Sequence, residues 1–229
     1  MTIPIKLSVI MPVYNEVENL SKILEKVQKV NIEKEIIIVD DGSSDGTRDI
    51  LEKIEQDNVK IYYHAKNMGK GYAVRTGLQH ISGDIVIIQD ADLEYDPNDY
   101  HKLLQPLIEG KISVVYGSRP LGKNPISYSR YYWGSWFLNF VGNLLYGTRL
   151  TDLYTCYKVF RSEVIKPLNL QCKGFEFCPE VTAKISKNGY NILEVPISYK
   201  PRAFSQGKKI RWYDGFIGLW TLIRYRLWD

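Results

Sequence analysis

Cysteine is scarce in this chain of 229 residues, which has three. They stand at Cys156, Cys172 and Cys178. Their number and irregular spacing exclude a disulfide scaffold and a structural zinc site, and they fit a reducing compartment. Histidine is equally scarce. The three histidines have no paired spacing of metal ligands, so we interpret them as structural.

Long apolar runs are also missing. The apolar residues 7–14 run straight into Asn15 and Glu16 without a small-residue cleavage site, which argues against a signal peptide. The longest apolar run, over residues 133–147, is interrupted by two asparagines and falls short of the roughly 20 residues needed to span a bilayer. We therefore expect no segment that crosses a membrane on its own.

The composition is that of an ordinary globular protein, with 45% hydrophobic and 24% charged residues, and we expect one domain over residues 1–229. Charge is distributed unevenly within it. Residues 1–120 carry 14 Lys and Arg against 19 Asp and Glu, a net charge of −5. Residues 121–229 carry 16 against 7, a net charge of +9, together with all five Trp and all seven Phe. A basic, aromatic half predicts contact with an anionic or membrane surface.

The first half alternates between strand and helix patterns. Continuous runs of β-branched and aliphatic residues predict buried strands over residues 7–13, 35–39, 84–89 and 112–116, and residues 60–64 form a weaker fifth. Helical patterns follow Glu16, Asp45 and Pro97. This alternation predicts an α/β fold with a mostly parallel sheet covered by helices on both faces. A ligand then binds at the carboxyl ends of the strands.

The alternation breaks after residue 121. The sequence predicts an aromatic helix over residues 131–146 with a polar stripe at Ser135, Asn139 and Asn143, a second helix over 176–187 and a strand over 191–199. The last segment, residues 211–227, predicts an amphipathic helix that lies in the plane of a membrane surface. Its apolar face consists of Trp212, Phe216, Leu219, Trp220, Ile223 and Leu227.

The strongest chemical motif is Asp90-Ala91-Asp92-Leu93-Glu94, which follows the strand predicted over residues 84–89. Three carboxylates in five residues at the end of a buried strand are unfavourable unless a cation compensates them. Mg²⁺ and Mn²⁺ prefer such oxygen ligands and share their other positions with water and phosphate. The alternative is a solvated acidic turn.

Two further motifs lie at predicted strand ends. Residues 41–52 nearly match the pattern of a calcium-binding loop, but a strand enters them and Arg48 stands where an apolar residue is expected. We interpret Asp40 and Asp41 as strand-end carboxylates that face the sugar or base of a ligand. Gly69-Lys70-Gly71 lacks the spacing of a dinucleotide or phosphate loop, so a structural turn is an equally good interpretation.

Several cationic residues follow the acidic motifs along the chain. They are Arg119, Arg130, Arg202, Lys208 and Lys209. Each alone is more often a surface residue, but together they predict binding of a diphosphate or a phosphate monoester. Asp152 and Glu180 lie in apolar or basic sequence surroundings, and we expect them to be buried partners of such cations.

Five ordered motifs between Pro12 and Arg119 resemble the family-two glycosyltransferases, and within them the dolichyl- or polyprenyl-phosphate sugar transferases such as dolichyl-phosphate mannosyltransferase. The resemblance as a whole runs over nearly the entire chain. The motifs are Pro12-x-Tyr14-Asn15-Glu16, Asp40-Asp41-Gly42-Ser43-x-Asp45-Gly46-Thr47, Asn67-x-Gly69-Lys70-Gly71, Asp90-Ala91-Asp92 and Gly117-Ser118-Arg119. The resemblance implies a Rossmann-like GT-A fold, a nucleotide-sugar donor, Mg²⁺ or Mn²⁺ bound at a DXD motif, and inversion at the anomeric carbon of a hexose.

The resemblance also implies site residues. Metal coordination falls on Asp92 and Glu94, and the acceptor phosphate on Arg130. Catalytic roles fall on Asp90, Asp92, Arg119 and Arg202. Contacts with the nucleotide sugar fall on Pro12, Tyr14, Glu16, Val39, Asp41, Asp90, Ala91, Asp92, Arg119, Arg202 and Lys208.

The chain departs from the family pattern at two places. It has Cys156-Tyr157 where the family often has Gly-Phe, and Glu176 where mannosyltransferases can place a lysine near the donor. The sugar therefore stays open, and the donor is GDP- or UDP-linked.

The acceptor can be chosen from the charges. A hydroxyl acceptor needs a general base, whereas a lipid phosphate is already ionised and needs cations. Residues 121–229 hold many cations and few carboxylates, which favours a polyprenyl or dolichyl phosphate. The alternatives are transfer to a sugar hydroxyl of a surface polysaccharide and a non-catalytic module that binds nucleotide sugar or lipid.

Residues 1–120 are thus expected to bind nucleotide sugar and metal, and residues 121–229 to bind the acceptor and the membrane. We predict peripheral attachment to the cytoplasmic face of a membrane and no nucleic-acid partner. A small membrane-anchoring subunit and a homo-oligomer stay open as further partners.

Overall fold

A seven-stranded sheet forms the centre of the protein. The computed structural model describes residues 5–122, 124, 129–202 and 212–228, with side chains except at 129–132 and 212. The strands are β1 (Leu7–Val13), β2 (Lys34–Asp40), β3 (Val59–Tyr63), β4 (Ile85–Ile88), β5 (Val114–Ser118), β6 (Lys158–Arg161) and β7 (Leu193–Pro196). Their order is β3-β2-β1-β4-β6-β5-β7, and β6 runs antiparallel to both of its neighbours. The predicted α/β fold with a mostly parallel sheet is confirmed.

Helices connect the strands. They are α1 (Leu20–Lys29), α2 (Thr47–Leu51), α3 (Lys70–Leu78), α4 (Tyr100–Ile108), α5 (Ser129–Tyr146), α6 (Ser162–Ile165), α7 (Phe177–Lys187) and α8 (Trp212–Leu227). A short 3₁₀ helix, Pro97–Asp99, precedes α4 and is capped by the Asp96 carboxylate, which accepts from Asn98 N at 3.1 Å. The helices predicted over 131–146, 176–187 and 211–227 correspond to α5, α7 and α8.

Three elements, α3, α6 and β6, have no counterpart in the sequence prediction. Helix α3 turns small residues toward the sheet, and a Cβ atom on Gly77 would lie 2.5 Å from Cγ2 of Ile10. Small buried residues allow this close approach but produce no pattern of large apolar side chains. Strand β6 has four residues and carries charged residues at both ends, Lys158 and Arg161. Helix α6 is only four residues long, and none of the three elements has the apolar periodicity that identified the others.

The parallel register places four strand ends at one edge of the sheet. Strands β2 and β4 both pair parallel with β1, and Val13 lies opposite Asp40. The predicted motifs follow these ends: residues 14–16 after β1, Asp41 after β2, residues 90–94 after β4 and Arg119 after β5. The sheet thus brings together motifs that are far apart in sequence.

Helix α5 turns its polar stripe inward. Asn139 is 8% exposed, whereas Trp136 is 54% and Phe140 is 54% exposed. The Trp136 and Phe140 rings stack with centroids 6.0 Å apart. The polar stripe faces inward because two of its asparagine amides bind the loop after the helix. Asn139 donates to Thr151 O at 2.6 Å, and Asn143 donates to Leu150 O at 2.8 Å.

Helix α8 packs beside α5, and Tyr146 donates to Leu222 O at 2.6 Å. Leu222 and Tyr225 are buried, while Phe216, Trp220 and Leu227 of the predicted apolar face are exposed. We call the exposed aromatic residues of the two helices the aromatic surface: Trp133, Trp136, Phe137, Phe140, Phe216 and Trp220. Exposed apolar patches of this kind mark interaction sites. In the described part of the chain, every helix is too short or too polar to span a bilayer.

Replacing Gly42 with alanine should destabilise the fold far more than replacing Gly110, although both residues have positive φ angles, of 77° and 70°. A Cβ atom at Gly42 would lie 2.5 Å from the backbone carbon of Lys66, whereas nothing lies within 4 Å of the corresponding atom at Gly110. We expect Gly110→Ala to cost about 1 kcal/mol, from the left-handed conformation alone. Gly42→Ala should cost more than about 3 kcal/mol, because backbone must also move. Urea unfolding measures both, and equal losses would contradict the close approach.

Candidate active site

Three carboxylates follow β4, and each has a cationic or hydroxyl partner. Lys70 Nζ lies 2.5 Å from Asp90 Oδ1, and Arg202 Nη2 lies 3.0 Å from Asp92 Oδ2. Glu94 accepts from the Tyr199 hydroxyl at 2.8 Å and from the Arg202 backbone N–H at 2.7 Å. The predicted acidic motif is therefore an enclosed cluster, not a solvated turn.

The backbone of the motif is strained. Leu93 has a φ of +63°, a conformation that residues other than glycine rarely adopt. The turn is closed by the Glu94 N–H, which donates to Asp92 Oδ1 at 3.1 Å. Such strain is retained where the surrounding structure needs a particular placement of side chains. Here it directs Asp92 and Glu94 toward the segment that contains Tyr199 and Arg202.

Arg202 bridges two strand ends. Its guanidinium contacts Glu16, which follows β1, at 3.2 Å and Asp92 at 3.0 Å. Glu16 is buried, and its backbone N–H donates to Thr47 Oγ1 at 3.0 Å, which ties it to the start of α2. The predicted site residues Glu16, Asp92 and Arg202 are thus brought together by the fold.

Carboxylates outnumber cations among the described residues of this cluster. Glu16, Asp90, Asp92 and Glu94 lie there with Lys70 and Arg202. Burial, with the charges of Asp90 and Glu94, raises the pKa of Asp92 to about 7, and Arg202 offsets this only in part. The charge of Asp92 is therefore disfavoured without a further cation.

The donor chemistry of Asp92 and Glu94 fits a hard divalent cation, which prefers carboxylate oxygens. In the described residues, no three His, Cys, Asp or Glu side chains form a ready-made set of metal ligands. The Arg202 guanidinium stands against Asp92 instead. Binding of a metal ion by Asp92 and Glu94 consequently stays a prediction.

Asp41 organises the loop after β3. Its carboxylate accepts from the backbone N–H groups of Met68 at 2.9 Å and Gly69 at 2.7 Å, and lies 2.7 Å from His64 Nδ1. The His64 Nε2 atom lies 3.0 Å from Thr76 Oγ1, so the ring joins this loop to α3. The predicted contact of Asp41 with a nucleotide remains a prediction, because these internal bonds engage both of its oxygens.

The other predicted nucleotide contacts lie along the same edge. Pro12 and Tyr14 are half-buried, whereas Val39 and Ala91 are buried. Pro12 and Val39 lie within β1 and β2, Tyr14 directly follows β1, and Ala91 lies three residues after β4. Their placement agrees with a ligand at the carboxyl ends of the strands.

The Gly69-Lys70-Gly71 segment has a structural role and a charged one. The N–H groups of Gly71 and Tyr72 donate to Gly174 O at 3.1 Å and Lys173 O at 3.0 Å. These bonds dock residues 173–174 against the start of α3 and hold Lys70 beside Asp90. The importance of Lys70 was missed from the sequence, although its position between glycines in a family motif offered a signal.

Arg119 is held by Asp152. The guanidinium donates to the two carboxylate oxygens at 2.6 and 2.7 Å, and the Arg119 backbone N–H donates to the same group at 3.1 Å. The guanidinium carbon lies 5.1 Å from the centre of the Tyr199 ring. The expectation that Asp152 is a buried partner of a cation is confirmed.

Glu180 is also a buried partner, but of a cation that the sequence did not suggest. It lies 3.0 Å from Lys184 Nζ and accepts from the N–H groups of Gln171 and Cys172, both at 2.7 Å. The Tyr225 hydroxyl of α8 donates to it at 2.8 Å. Glu180 therefore joins α7 to α8 and to the loop before α7.

Some predicted residues fall outside the described structure. Lys208 and Lys209 lie outside the described ranges. Arg130 is in the first turn of α5, but its side chain is not among those described. Their predicted contacts with phosphate stay predictions.

The known proteins that this chain is similar to include glycosyltransferases. The sequence model described as glycosyl transferase family 2 matches residues 8–168. A UDP-N-acetylglucosamine–dolichyl-phosphate N-acetylglucosaminyltransferase of Methanococcus voltae is 31% identical, with 95% of each chain covered. The glycosyltransferase AglJ of Haloferax volcanii is 29% identical over 88% of this chain and 65% of its own.

Solved structures of glucosyl-3-phosphoglycerate synthase from Mycobacterium tuberculosis share the fold. The complex with UDP has a TM-score of 0.74 at 18% identity, covering 97% of this chain and 79% of the synthase. The complex with Mn²⁺, UDP and glucosyl-3-phosphoglycerate has a TM-score of 0.72 at 18% identity, covering 96% and 80%. The predicted GT-A fold is confirmed.

Proposed function

The chain belongs to glycosyl transferase family 2, and from that premise we propose that it transfers a sugar from a UDP- or GDP-linked donor to a dolichyl or polyprenyl phosphate. The similarity to a dolichyl-phosphate N-acetylglucosaminyltransferase over 95% of the chain supports this acceptor class. The proposed reaction inverts the anomeric carbon.

One observation carries the choice of acceptor. Among the described residues of the second half, Asp152 and Glu180 are the buried carboxylates, and a hydroxyl acceptor would need such a group as its base. The structure holds Asp152 in a bidentate pair with Arg119 and Glu180 in a buried pair with Lys184. A phosphate acceptor is already ionised and needs no base. The described site thus suits a phosphate better than a hydroxyl.

The proposed reaction forms one bond and breaks one bond at the anomeric carbon of the sugar. An oxygen of the acceptor phosphate forms a bond to the anomeric carbon, while the bond from that carbon to the donor diphosphate breaks. The nucleoside diphosphate departs with its electron pair, and no proton is transferred. Negative charge therefore grows on the leaving phosphates, where positioned cations stabilise it most.

The chain's own cations suit this task. Arg202 lies among the carboxylates that follow β1 and β4. Arg119 follows β5 and is oriented by Asp152. We assign contacts with the phosphates to both, and the resemblance adds Lys208 for the donor and Arg130 for the acceptor. Lys70 holds Asp90, which we expect to orient the donor ribose.

A divalent cation belongs to the proposal. Asp92 and Glu94 would hold Mg²⁺ or Mn²⁺, which supplies charge stabilisation for the leaving diphosphate. The carboxylate oxygens of both side chains, and the repulsion that Asp90 and Glu94 exert on Asp92, support this assignment.

We further propose that the aromatic surface attaches the protein to the membrane that contains the acceptor. Arg224 and Arg226 of α8 are exposed beside it, and anionic lipids add about 1 kcal/mol for each nearby basic residue. The three free cysteines fit attachment on the cytoplasmic face. A small anchoring subunit or a second copy of the chain are partners that remain predictions.

The direct test is a screen of radiolabelled UDP- and GDP-sugars with a polyprenyl phosphate and Mg²⁺ or Mn²⁺. We expect metal-dependent transfer of label into the lipid phase from one of the donors. Label in an added oligosaccharide instead would indicate a hydroxyl acceptor. Donor binding without metal and without transfer to either acceptor would indicate a non-catalytic module.

A further inference from the structure

Two asparagines of α5 each bind the loop between α5 and β6 at more than one point. Asn139 donates from Nδ2 to Thr151 O at 2.6 Å and accepts at Oδ1 from Leu153 N at 2.8 Å. Asn143 makes the same two kinds of bond with the carbonyl and N–H of Leu150, both at 2.8 Å. The proposed reaction assigns no role to either side chain.

The bonds of Asn139 enclose Asp152 on both sides. The Thr151 carbonyl belongs to the peptide group before Asp152, and the Leu153 N–H belongs to the one after it. From the opposite side Glu194 of β7 accepts from the N–H groups of Thr151 at 2.7 Å and Asp152 at 2.9 Å. Asp152 is 1% exposed, so helix α5 and strand β7 together fix its position.

The position of Asp152 determines that of Arg119. The carboxylate takes two guanidinium bonds in a bidentate geometry, which fixes both the direction and the plane of the guanidinium. A shift of this carboxylate must move Arg119 or leave a buried charge without its partner, which is costly. Arg119 in turn lies over Tyr199, whose hydroxyl binds Glu94.

We propose that Asn139 is a positioning residue for sugar transfer: it holds Asp152, and through Asp152 the Arg119 guanidinium, in the place where a phosphate of the reaction is bound. The inference rests on the proposed function for the role of Arg119. It also gives the inward polar stripe of α5 a purpose, because Asn139 joins one of the two helices of the aromatic surface to the active site.

The test compares Asn139→Ala with Asn143→Ala. Both variants lose an amide that binds the same loop, but only the first removes the bonds on either side of Asp152. We expect kcat to fall about 10- to 100-fold in Asn139→Ala, since misplacement of about 1 Å costs up to 100-fold. The KM for the nucleotide sugar should change less than kcat, and Asn143→Ala should stay within about threefold of wild type.

A second readout does not depend on activity. The NMR signal of the Arg119 Nε–H group, assigned with Arg119→Lys, should exchange slowly with water in wild type and in Asn143→Ala. The same Arg119 signal should broaden or shift in Asn139→Ala. Where the alanine variant does not fold, Asn139→Ser provides the same comparison, because serine cannot reach both peptide groups.

The outcomes separate the two proposals. An unchanged kcat and an unchanged Arg119 signal in a folded Asn139 variant would overturn the positioning role and leave the proposed function intact. Equal losses in the Asn139 and Asn143 variants would also overturn it. A wild-type protein without transferase activity would contradict the proposed function, and the Arg119 signal would still decide whether Asn139 sets the position of that side chain.

Discussion

Replacing Asp92 with asparagine should lower kcat by about 1,000-fold, the upper end of the range seen when a source of transition-state charge stabilisation is removed. The same substitution should leave the melting temperature at or above that of wild type. Loss of function without loss of stability is expected because Asp92 carries a charge that the fold does not favour.

The physical reason lies in the surroundings of Asp92. Its side chain is 14% exposed. Burial and the negative charges of Asp90 and Glu94 raise the pKa of Asp92, and the Arg202 guanidinium at 3.0 Å lowers it only in part. Asparagine keeps the shape of the side chain and removes the repulsion within the cluster. The proposed cation, however, loses a charged ligand, and sites under such electrostatic strain commonly exchange activity for stability.

Asp96→Asn is the matched control, because it removes one carboxylate four residues away. Asparagine serves as well as aspartate at the start of a helix, where Asp96 caps residues 97–99, so activity and stability should stay near wild type. Turnover with Mg²⁺, thermal unfolding and Mn²⁺ binding by electron paramagnetic resonance in the presence of UDP or GDP give the three readouts. Activity within tenfold of wild type, or unchanged Mn²⁺ affinity, would remove Asp92 from the metal site.

The elements that carry chemistry at strand ends were the most predictable from the sequence. Buried parallel strands produce continuous apolar runs, so the residue that ends each run is easily found. The parallel register then places these end residues at one edge of the sheet. Glu16, Asp41, Asp90 and Arg119 were located in this way. The sheet edge was therefore predictable before any side-chain contact was known.

The pairing of charges was not predictable to the same extent. Arg202 contacts Glu16 and Asp92, which are 186 and 110 residues away in sequence, and no local pattern encodes such a choice. Asp152 was expected to be buried against a cation, but its partner Arg119 follows from the antiparallel insertion of β6, which the sequence did not indicate. Lys70 escaped notice because two glycines suggested a turn.

The orientation of α5 shows why composition alone is ambiguous. A helix with aromatic residues and a polar stripe usually buries the aromatic residues. Here the stripe finds backbone partners in the loop at 148–153, which satisfies the asparagine amides and leaves the rings outside. The hydrogen-bonding needs of the loop, which the sequence does not display, therefore decide which face is exposed.

Replacing Trp136 and Trp220 together with glutamate should weaken binding to vesicles that contain an anionic lipid by about 1,000-fold. Each ring contributes about 2 kcal/mol when it leaves water, and two such losses correspond to roughly three factors of ten. Both side chains are more than half exposed, at 54% and 57%, so the substitution should not disturb the core. Flotation with phosphatidylcholine and phosphatidylglycerol vesicles measures the change.

Ile108→Glu is the matched control, since it places the same charge at an exposed apolar position, 53% exposed, at the end of α4. Helix α4 leads into the start of β5, at the sheet edge opposite the active site, so this variant should float like wild type. The double variant should also lose transfer to a membrane-embedded acceptor while retaining donor binding. Undiminished flotation would show that the aromatic surface serves another partner, and the arginines beside it would then be tested by raising the salt concentration, which screens their attraction to anionic lipid.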